Sequence, residues 1–249
     1  MQRSVAQIAV TPVKGFALDF PQRVLLDGHG VADDRRFLLV DEGGARLRSA
    51  VHAWPCTLRA RFDPEAGRLT IRFPDGDETT GSAEPGEETV VFDYHGGDVR
   101  GHVVDGPWTH KLSRLAGVPV RLVRTERPGS VQGAPITLVS TASLDRFAHE
   151  AGTDVDARRF RMLFHIDGCT PHEEDEWLGR RVRIGAAIVR VVEPVERCVV
   201  TTRDPSSGAR DLDTLHVLKR YRGSIDFGMR ARVERGGAVT LGEHVEPLD

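Results

Sequence analysis

Short apolar stretches, broken again and again by turn-forming residues, most constrain what this chain can fold into. Residues 4–10 alternate apolar and polar side chains before Thr11 and Pro12, and residues 36–41 form an apolar run before Glu42–Gly44. Residues 58–62 and 69–73 flank a turn-like segment that ends at Gly67. Stretches of this length, bounded by Gly, Pro and Asp, are typical of β-strands and hairpins.

Three segments show helical rather than alternating spacing. They cover residues 108–116, 143–151 and 213–221, and Gly117 and Gly152 stand where the first two should end. Glycine is favoured there because the residue after a helix often takes a left-handed conformation. Many short strands with only a few short helices predict a mainly β, barrel-like fold.

One boundary is expected near the middle of the chain. The segments 127–129 and 133–135 place proline and glycine close together and interrupt the strand pattern. We therefore divide the 249 residues into an N-terminal β-barrel module, residues 1–128, and a C-terminal module, residues 129–249. Both together are long enough to bury a substantial core.

Composition excludes several classes of protein. A net charge of -3 argues against a dedicated nucleic-acid binder, which usually carries a basic excess. No apolar run approaches the ~20 residues that span a bilayer, and the N-terminus lacks the apolar stretch of a signal peptide. We therefore expect no membrane span and a cytoplasmic location. Cys56, Cys169 and Cys198 are too few and too widely spaced for a disulfide framework or structural zinc site, so they should be free thiols.

Basic residues mark three segments. Lys14 directly follows the first predicted strand, and Arg35 lies in the run Asp33-Asp34-Arg35-Arg36. In 156–161, three arginines lead into an apolar segment that we interpret as a strand over residues 160–166. Alternation would then place Arg159 and Arg161 on one face. Two cations on one face either bind an anion or are solvated.

The segment 196–208 adds a cysteine to this pattern. Cys198 follows Arg197 and precedes Arg203 by five positions, in a stretch predicted as a strand over residues 197–202. A single cysteine in an apolar strand is usually an inert core residue. Nearby cations, however, favour the thiolate over the thiol. The residues themselves leave both interpretations open.

Taken in order, these segments resemble the MOSC family with its N-terminal β-barrel module. Bacterial oxidoreductases and the mitochondrial amidoxime-reducing components are members of this family that the sequence resembles. The motifs are Pro12-Val-Lys14-Gly15, Asp34-Arg35-Arg36-Phe37, Leu138-Val-Ser140-Thr141-Ala-Ser143, Arg159-Phe-Arg161, Glu174-Asp-Glu-Trp177 and Arg197-Cys198-Val-Val-Thr-Thr-Arg-Asp204-Pro-Ser-Ser-Gly208.

The resemblance implies a bound molybdenum cofactor, the molybdenum–molybdopterin complex. It implies that Cys198 is the protein's ligand to molybdenum and the catalytic residue. The positions it implies for the rest of the cofactor are Lys14, Gly15, Arg35, Ser140, Thr141, Ser143, Arg161, Glu196 and Arg197. We expect Lys14, Arg35 and Arg161 to converge on one cleft that Cys198 also faces, with Cys56 and Cys169 outside it.

The sequence departs from the family pattern at three places. Gly15 stands where relatives often have serine, which removes a hydroxyl contact. Met162 and Leu163 replace the usual Pro-Asn after Arg161, which removes a polar contact near the pocket. Residues 48–55 match the family's Thr-x-Arg pattern only loosely.

The resemblance leaves three functions open. One is a molybdenum-dependent oxidoreductase that removes oxygen from N-oxygenated small molecules and is reduced again by an external electron-donor protein. Another is a non-catalytic carrier of molybdenum cofactor, or of sulfur as a Cys198 persulfide. The last is a MOSC fold that has lost the cofactor. His165 and His172 flank Cys169 before an acidic run, but this spacing fits no common metal site, and a solvated acidic loop is the simpler interpretation.

Overall fold

The computed structural model describes residues 2–93, 98–126 and 134–248, and is built mainly of β-strands. In these ranges there are seventeen strands and three α-helices. The strands are β1 Ser4–Ile8, β2 Arg23–Asp27, β3 Gly30–Val31, β4 Phe37–Asp41, β5 Arg59–Asp63, β6 Arg68–Arg72, β7 Glu78–Ser82, β8 Thr89–Asp93, β9 Asp98–Val104, β10 Val120–Thr125, β11 Ile136–Ser140, β12 Phe164–Asp167, β13 Arg181–Ile184, β14 Ala187–Glu196, β15 Asp226–Arg235, β16 Gly237–Thr240 and β17 Val245–Pro247. The helices are α1 Thr109–Ala116, α2 Thr141–Ala151 and α3 Thr214–Arg222.

The largest sheet has seven strands in the order β1-β12-β11-β15-β14-β13-β17. Its two ends approach each other, because Ser4 at the start of β1 forms a β-bridge with His244 just before β17. The sheet is therefore nearly closed into a barrel. Its interior is filled by fully buried aliphatic and aromatic side chains such as Ile8, Phe164 and Val189. Closure removes the unpaired edges that an open sheet of this size would expose.

A second core lies in the N-terminal half. The sheet β4-β10-β9-β8 and the sheet β5-β6-β7 contribute to it. Leu39 and Leu122 from the first sheet share one apolar cluster with Leu69 from the second, and Trp108 completes it beside α1. This packing holds β4 and the residues before it in place, which matters because Lys14 is anchored there.

Helices α2 and α3 cover one side of the C-terminal half. Phe147 of α2 packs with Phe227 of β15, at 5.6 Å between ring centroids, and with Leu218 of α3. All three helices end at a glycine in the left-handed conformation, as at Gly117 with φ 71° and Gly152 with φ 67°. None of the described helices is long and apolar enough to cross a membrane.

The mainly β prediction is confirmed, and so are the three helices. The predicted strands 160–166 and 197–202 are wrong in part: 3-10 turns occupy Ala157–Phe160 and Val199–Thr202, and regular pairing starts only at Phe164 in the first case. The expected boundary falls on residues 127–133, which lie outside the described residues, so the division after residue 128 stays a prediction.

Candidate functional site

Three cationic residues far apart in sequence are brought together by main-chain contacts. Lys14 follows β1 and its N–H donates to the carbonyl of Phe37 (2.8 Å). Arg35 precedes β4 and its N–H donates to the carbonyl of Thr11 (2.6 Å). Arg161 ends the 3-10 turn Ala157–Phe160. Arg35 and Arg161 both have φ near 52°, the left-handed region that non-glycine residues seldom adopt.

The side chains of these residues then interlock. Arg35 Nη2 donates to the carbonyl of Arg161 (3.1 Å), and Arg161 Nη2 donates to the carbonyl of Phe16 (2.8 Å). Asp34 forms an ion pair with Arg35, and its other oxygen accepts from the N–H of Thr11 (2.8 Å). We call Lys14, Arg35 and Arg161 the cation cradle. The expectation that these residues converge agrees with this arrangement.

The cradle carries an excess of positive charge. Burial, together with the charges of Arg35, Arg46 and Arg161, holds the pKa of Lys14 well below its usual value, and Asp34 opposes this. Burial and the charge of Arg35 lower the pKa of Arg161 to about 10. Crowded cations of this kind are stabilised when an anion binds among them.

An open cleft lies beside the cradle. Residues from both halves of the chain line it: Gly15, Ser49, His52, Ala53, Cys56, Arg158, Arg159, Arg161, Val200, Arg203, Asp204 and Pro205. Ser49 and His52 also border the smaller pocket that holds Lys14. The cleft and the cradle are therefore neighbouring parts of one site.

Cys198 lies between the end of a strand and a 3-10 turn. β14 ends at Glu196, and Cys198 caps the 3-10 turn Val199–Thr202 with its backbone extended. Its side chain is a free, exposed thiol. Val200, two residues later, lines the cleft, whereas Cys198 is not among the described lining residues. That its sulfur faces the cleft therefore stays a prediction.

The other two cysteines differ from each other. Cys56 was expected outside the cleft, and that expectation is wrong: it lines the cleft, half-buried. Burial raises the pKa of its thiol, although Arg161 nearby acts in the opposite direction. Cys169 packs against the barrel core, and burial together with Glu173 and Glu174 raises its pKa to about 12. Both thiols are therefore protonated at neutral pH.

Arg159 and Arg161 both line the cleft. They do so from a 3-10 turn and its last residue, and not from one face of a strand as predicted. Arg159 lies inside the 3-10 turn and is almost fully buried. It forms an ion pair with Asp211 (2.9 Å) and donates to the carbonyl of Thr201 (2.9 Å). It thereby ties the turn that precedes Arg161 to the turn that follows Cys198.

The missing hydroxyl at Gly15 is replaced from another loop. Gly15 has φ 90°, and a Cβ added there would lie 3.0 Å from Ser49 Oγ. A serine at position 15 would be strained and would compete for the space that Ser49 already fills. The Ser49 hydroxyl thus occupies the place where a side chain at position 15 would lie.

The serines expected to contact the cofactor lie elsewhere. Ser140 and Ser143 are fully buried. Ser140 caps α2, accepting from the N–H of Ser143 (3.0 Å), while its own N–H donates to Glu174 (3.1 Å). The Thr141 hydroxyl donates to Asp167 (3.0 Å). The structure brings none of these three residues into the described cleft.

Glu196 and Arg197 also lie apart from the cleft lining. Glu196 is exposed at the end of β14. Arg197 is buried and donates to the carbonyls of Phe160 (2.8 Å) and Phe227, and to the sulfur of Met162 (2.7 Å). Burial lowers its pKa to about 9. Met162 therefore faces Arg197 in the interior, and its substitution for the usual proline removes nothing from the cleft wall.

Several lining residues were missed by sequence reasoning. Ser49 and His52 lie in the loosely matching segment 48–55, and Arg158 and Arg203 stood in marked segments without being chosen. The arginines of the segments around Arg158 and Arg203 were the only signal that could have pointed to these two residues. Among the described residues there is no cluster of three or more His, Cys, Asp or Glu side chains suited to a metal ion. A metal here would depend on one thiolate and on ligands from a cofactor.

Comparisons with known proteins agree with this architecture. The sequence pattern of the MOSC domain matches residues 93–246, and that of the MOSC N-terminal beta barrel domain matches residues 2–103. A molybdenum cofactor sulfurase of Drosophila grimshawi is 28% identical over 92% of this chain and 32% of its own length. A mitochondrial amidoxime-reducing component 1 of Xenopus laevis is 31% identical over 45% of this chain and 36% of its own length. The chain thus spans about a third of these relatives.

A solved structure supports the fold over nearly the whole chain. The YuaD protein of Bacillus subtilis superimposes with a TM-score of 0.51, covering 98% of this chain and 94% of that one. The sequences are 12% identical, so this likeness concerns the fold alone.

Proposed function

Because this chain belongs to the MOSC domain family, we propose that it is a molybdenum-cofactor-dependent oxidoreductase that reduces N-oxygenated small molecules. The amidoxime-reducing components among its relatives support this assignment. The observation that carries it is the cation cradle. Its three cationic residues outnumber the one buried carboxylate beside them, Asp34, so the site is suited to a multivalent anion.

The cradle fits the phosphate group of a molybdopterin. Arg35 and Arg161 contribute guanidinium groups, which suit a phosphate better than a single ammonium does. Arg35 already donates to Asp34 and to the carbonyl of Arg161, so it contributes mainly charge and holds Arg161 in place. Lys14 adds a point charge from the adjoining pocket. Gly15 and Ser49 leave space and a hydroxyl beside it. Arg35 donates to the carbonyl of Arg161 and Arg161 donates to the carbonyl of Phe16, so the site exists before the anion binds.

Cys198 is the proposed ligand to molybdenum. Its exposed thiol is free, and a soft thiolate suits a metal that is otherwise held by sulfur. Cys56 lines the cleft but stays protonated because burial raises its pKa. The contacts expected from Ser140, Thr141, Ser143, Glu196 and Arg197 are not needed for this proposal.

When bound, the cofactor supplies two-electron chemistry, and the protein supplies binding, orientation and access. The cradle fixes the anionic end of the cofactor. Arg159 joins the two turns on either side of the cleft and so fixes the position of Cys198 relative to Arg161. A substrate smaller than the cleft enters from solvent, and an external electron-donor protein restores the reduced state.

A second function is favoured by the sulfurase relatives. The similarity to the Drosophila grimshawi protein extends over 92% of this chain, which is more than for the Xenopus laevis protein. In that case Cys198 would carry sulfur as a persulfide, or the chain would bind the cofactor without turnover.

Protein from a cofactor-competent host separates these functions. Inductively coupled plasma mass spectrometry should find molybdenum, and reduced methyl viologen should drive the reduction of benzamidoxime to benzamidine. Lys14→Met should lose most of the molybdenum, whereas the control Lys219→Met on the exposed face of α3 should retain it. Molybdenum without turnover, together with persulfide on Cys198, would favour the carrier. Protein free of molybdenum would exclude the oxidoreductase and the cofactor carrier, and absence of a persulfide on Cys198 as well would exclude the sulfur carrier.

A further inference from the structure

His52 occupies a position in the cleft that the binding of the cofactor does not use. It borders both the pocket of Lys14 and the main cleft, and its side chain is half-buried. The backbone N–H of His52 donates to the carbonyl of Arg48 (2.9 Å). Within the described part of the chain its imidazole has no hydrogen-bond partner, so both ring nitrogens are available to a bound molecule.

The loop that carries His52 is fixed from across the cleft. Arg203 donates through Nη2 to the carbonyl of Ala50 (3.1 Å) and through Nη1 to the carbonyl of Gly208 (2.9 Å). Gly208 has φ 74°, and a Cβ there would lie 2.8 Å from the Cβ of Ala53. The two loops therefore meet on both sides of His52, which fixes the backbone that carries its imidazole.

Reduction of a hydroxylamine-type substrate needs protons as well as electrons. The N–O bond breaks, two electrons arrive from the cofactor, one proton is added to nitrogen, and the oxygen leaves as water after taking up another. The electrons are restored by the external donor. The protons must come from a side chain or from water in the cleft.

The other titratable groups in the cleft are poor proton donors. Asp204 accepts from the N–H groups of Ser206 and Ser207 and from the Ser207 hydroxyl, which lowers its pKa and keeps it ionised. Burial raises the pKa of Cys56, so this thiol holds its proton too firmly. Lys14 belongs to the cradle.

Arginine side chains do not release protons in this range. Around His52 these are Arg48 from the Lys14 pocket and Arg158, Arg159, Arg161 and Arg203 from the cleft. Of the described side chains that line the cleft, the unpartnered imidazole of His52 is therefore the remaining candidate proton donor.

We propose that His52 donates a proton to the departing oxygen of an N-oxygenated substrate. This rests on the proposed function, because it presupposes reduction at a cofactor anchored by Cys198. The same imidazole, once neutral, takes up a proton from solvent through the open side of the cleft.

The first test measures turnover per bound molybdenum in His52→Gln. Loss of a positioned proton donor should lower kcat by about 100-fold or more, because general acids contribute on this scale. Wild-type kcat should depend on pH through the protonation of the donor, and the variant should lack this dependence. Imidazole added to His52→Gly should restore part of the rate. His149→Gln, with an exposed imidazole on α2, is the matched control and should behave as wild type.

A second test does not depend on turnover. In the molybdenum-loaded protein without reductant, benzamidoxime should shift the histidine NMR signal that is absent from His52→Gln, and leave the His149 signal in place. Full turnover in His52→Gln, or no shift of its signal, would overturn the assignment. Loss of molybdenum from His52→Gln would also overturn it, since the residue would then serve cofactor binding. An inactive, metal-free wild type would instead reject the proposed function itself.

Discussion

At the scale of single residues, Cys198 carries the sharpest prediction. It caps a 3-10 turn with an exposed side chain, a position where serine is well tolerated. Cys198→Ser should therefore fold normally but lose molybdenum-dependent turnover, because a hydroxyl is a harder and more basic ligand than a thiol. Molybdenum content, benzamidoxime reduction and thermal melting check this.

Cys169→Ser provides the comparison. Its thiol packs against the barrel core, so this substitution should lower the melting temperature while turnover per molybdenum stays unchanged. Full turnover in Cys198→Ser would contradict the proposed ligand.

Some residues of the site were predictable and others were not. The order of the segments around Lys14, Arg35 and Arg161 pointed to one anion site, and these three residues do lie together. Cys56 was placed wrongly, because a lone cysteine has no pattern that shows which way it faces. Ser49 was missed because its hydroxyl lies beside Gly15 in space, whereas the two residues are far apart in sequence.

At the scale of elements, the segment 156–161 shows why alternation misled the prediction. Asp156 accepts from the N–H of Arg158 (2.9 Å) and pairs with its guanidinium, which stabilises a turn in place of a strand. Arg161 then takes the left-handed conformation and redirects the chain into β12. Local side-chain hydrogen bonds of aspartate compete with strand pairing in this way.

The start of α2 gives a prediction for Ser140. Its hydroxyl accepts from the N–H of Ser143 and lies 2.7 Å from the Ser143 hydroxyl, with both fully buried. Ser140→Ala should lower the free energy of unfolding by about 2 kcal/mol, the upper range for a lost cap. Urea denaturation measures this.

Asp213→Ala is the matched change, since Asp213 caps α3 from an exposed position, accepting from the N–H of His216 (3.1 Å). It should cost roughly 0.5–1 kcal/mol. Molybdenum content should stay the same in both variants. A loss of molybdenum confined to Ser140→Ala would mean that this serine contacts the cofactor, as the family resemblance implies.

At the scale of the whole molecule, buried histidines should make the fold sensitive to acid. Burial lowers the pKa of His165 to about 4, below the value near 6.5 of an exposed imidazole. Between these pH values the unfolded chain binds a proton on this histidine more readily than the folded chain does. The free energy of unfolding therefore has its full value above pH 6.5 and falls as the pH drops towards 4. The contribution is on the order of 3 kcal/mol.

His165→Gln should therefore show a shallower loss of stability between pH 6.5 and 4.5 in urea denaturation, whereas exposed His110→Gln should leave it unchanged. An unchanged slope in His165→Gln would assign the acid sensitivity to other groups. His172, whose pKa burial also lowers to about 4, is the first alternative.

The overall topology followed from family resemblance more than from strand patterns. Alternation indicates strands one at a time, but it does not show that β1 pairs with β12 or that β2 pairs with β16. Such pairings between distant segments depend on which strands bury their apolar side chains in each of the two cores. Residues 129–249 expressed alone would lack β1–β10, including β1 and β2, which pair with β12 and β16, and should be unfolded by circular dichroism and proteolysis.

Co-expression with residues 1–128 should restore the fold of that fragment, since the missing strands would be supplied from a separate chain. A fragment 129–249 that melts cooperatively alone would contradict this dependence.

The pairing of β1 with β12 also limits when β1 can fold during synthesis of the chain. Ser4 leaves the ribosome early, yet its partner Asp167 is made only after most of the N-terminal half has been translated. Val5 and Ile8, which end fully buried, must wait without their strand partner throughout that interval. Long-range pairing of this kind folds slowly and exposes apolar strand edges. The apolar residues of β1 therefore stay exposed on the growing chain until β12 has been made.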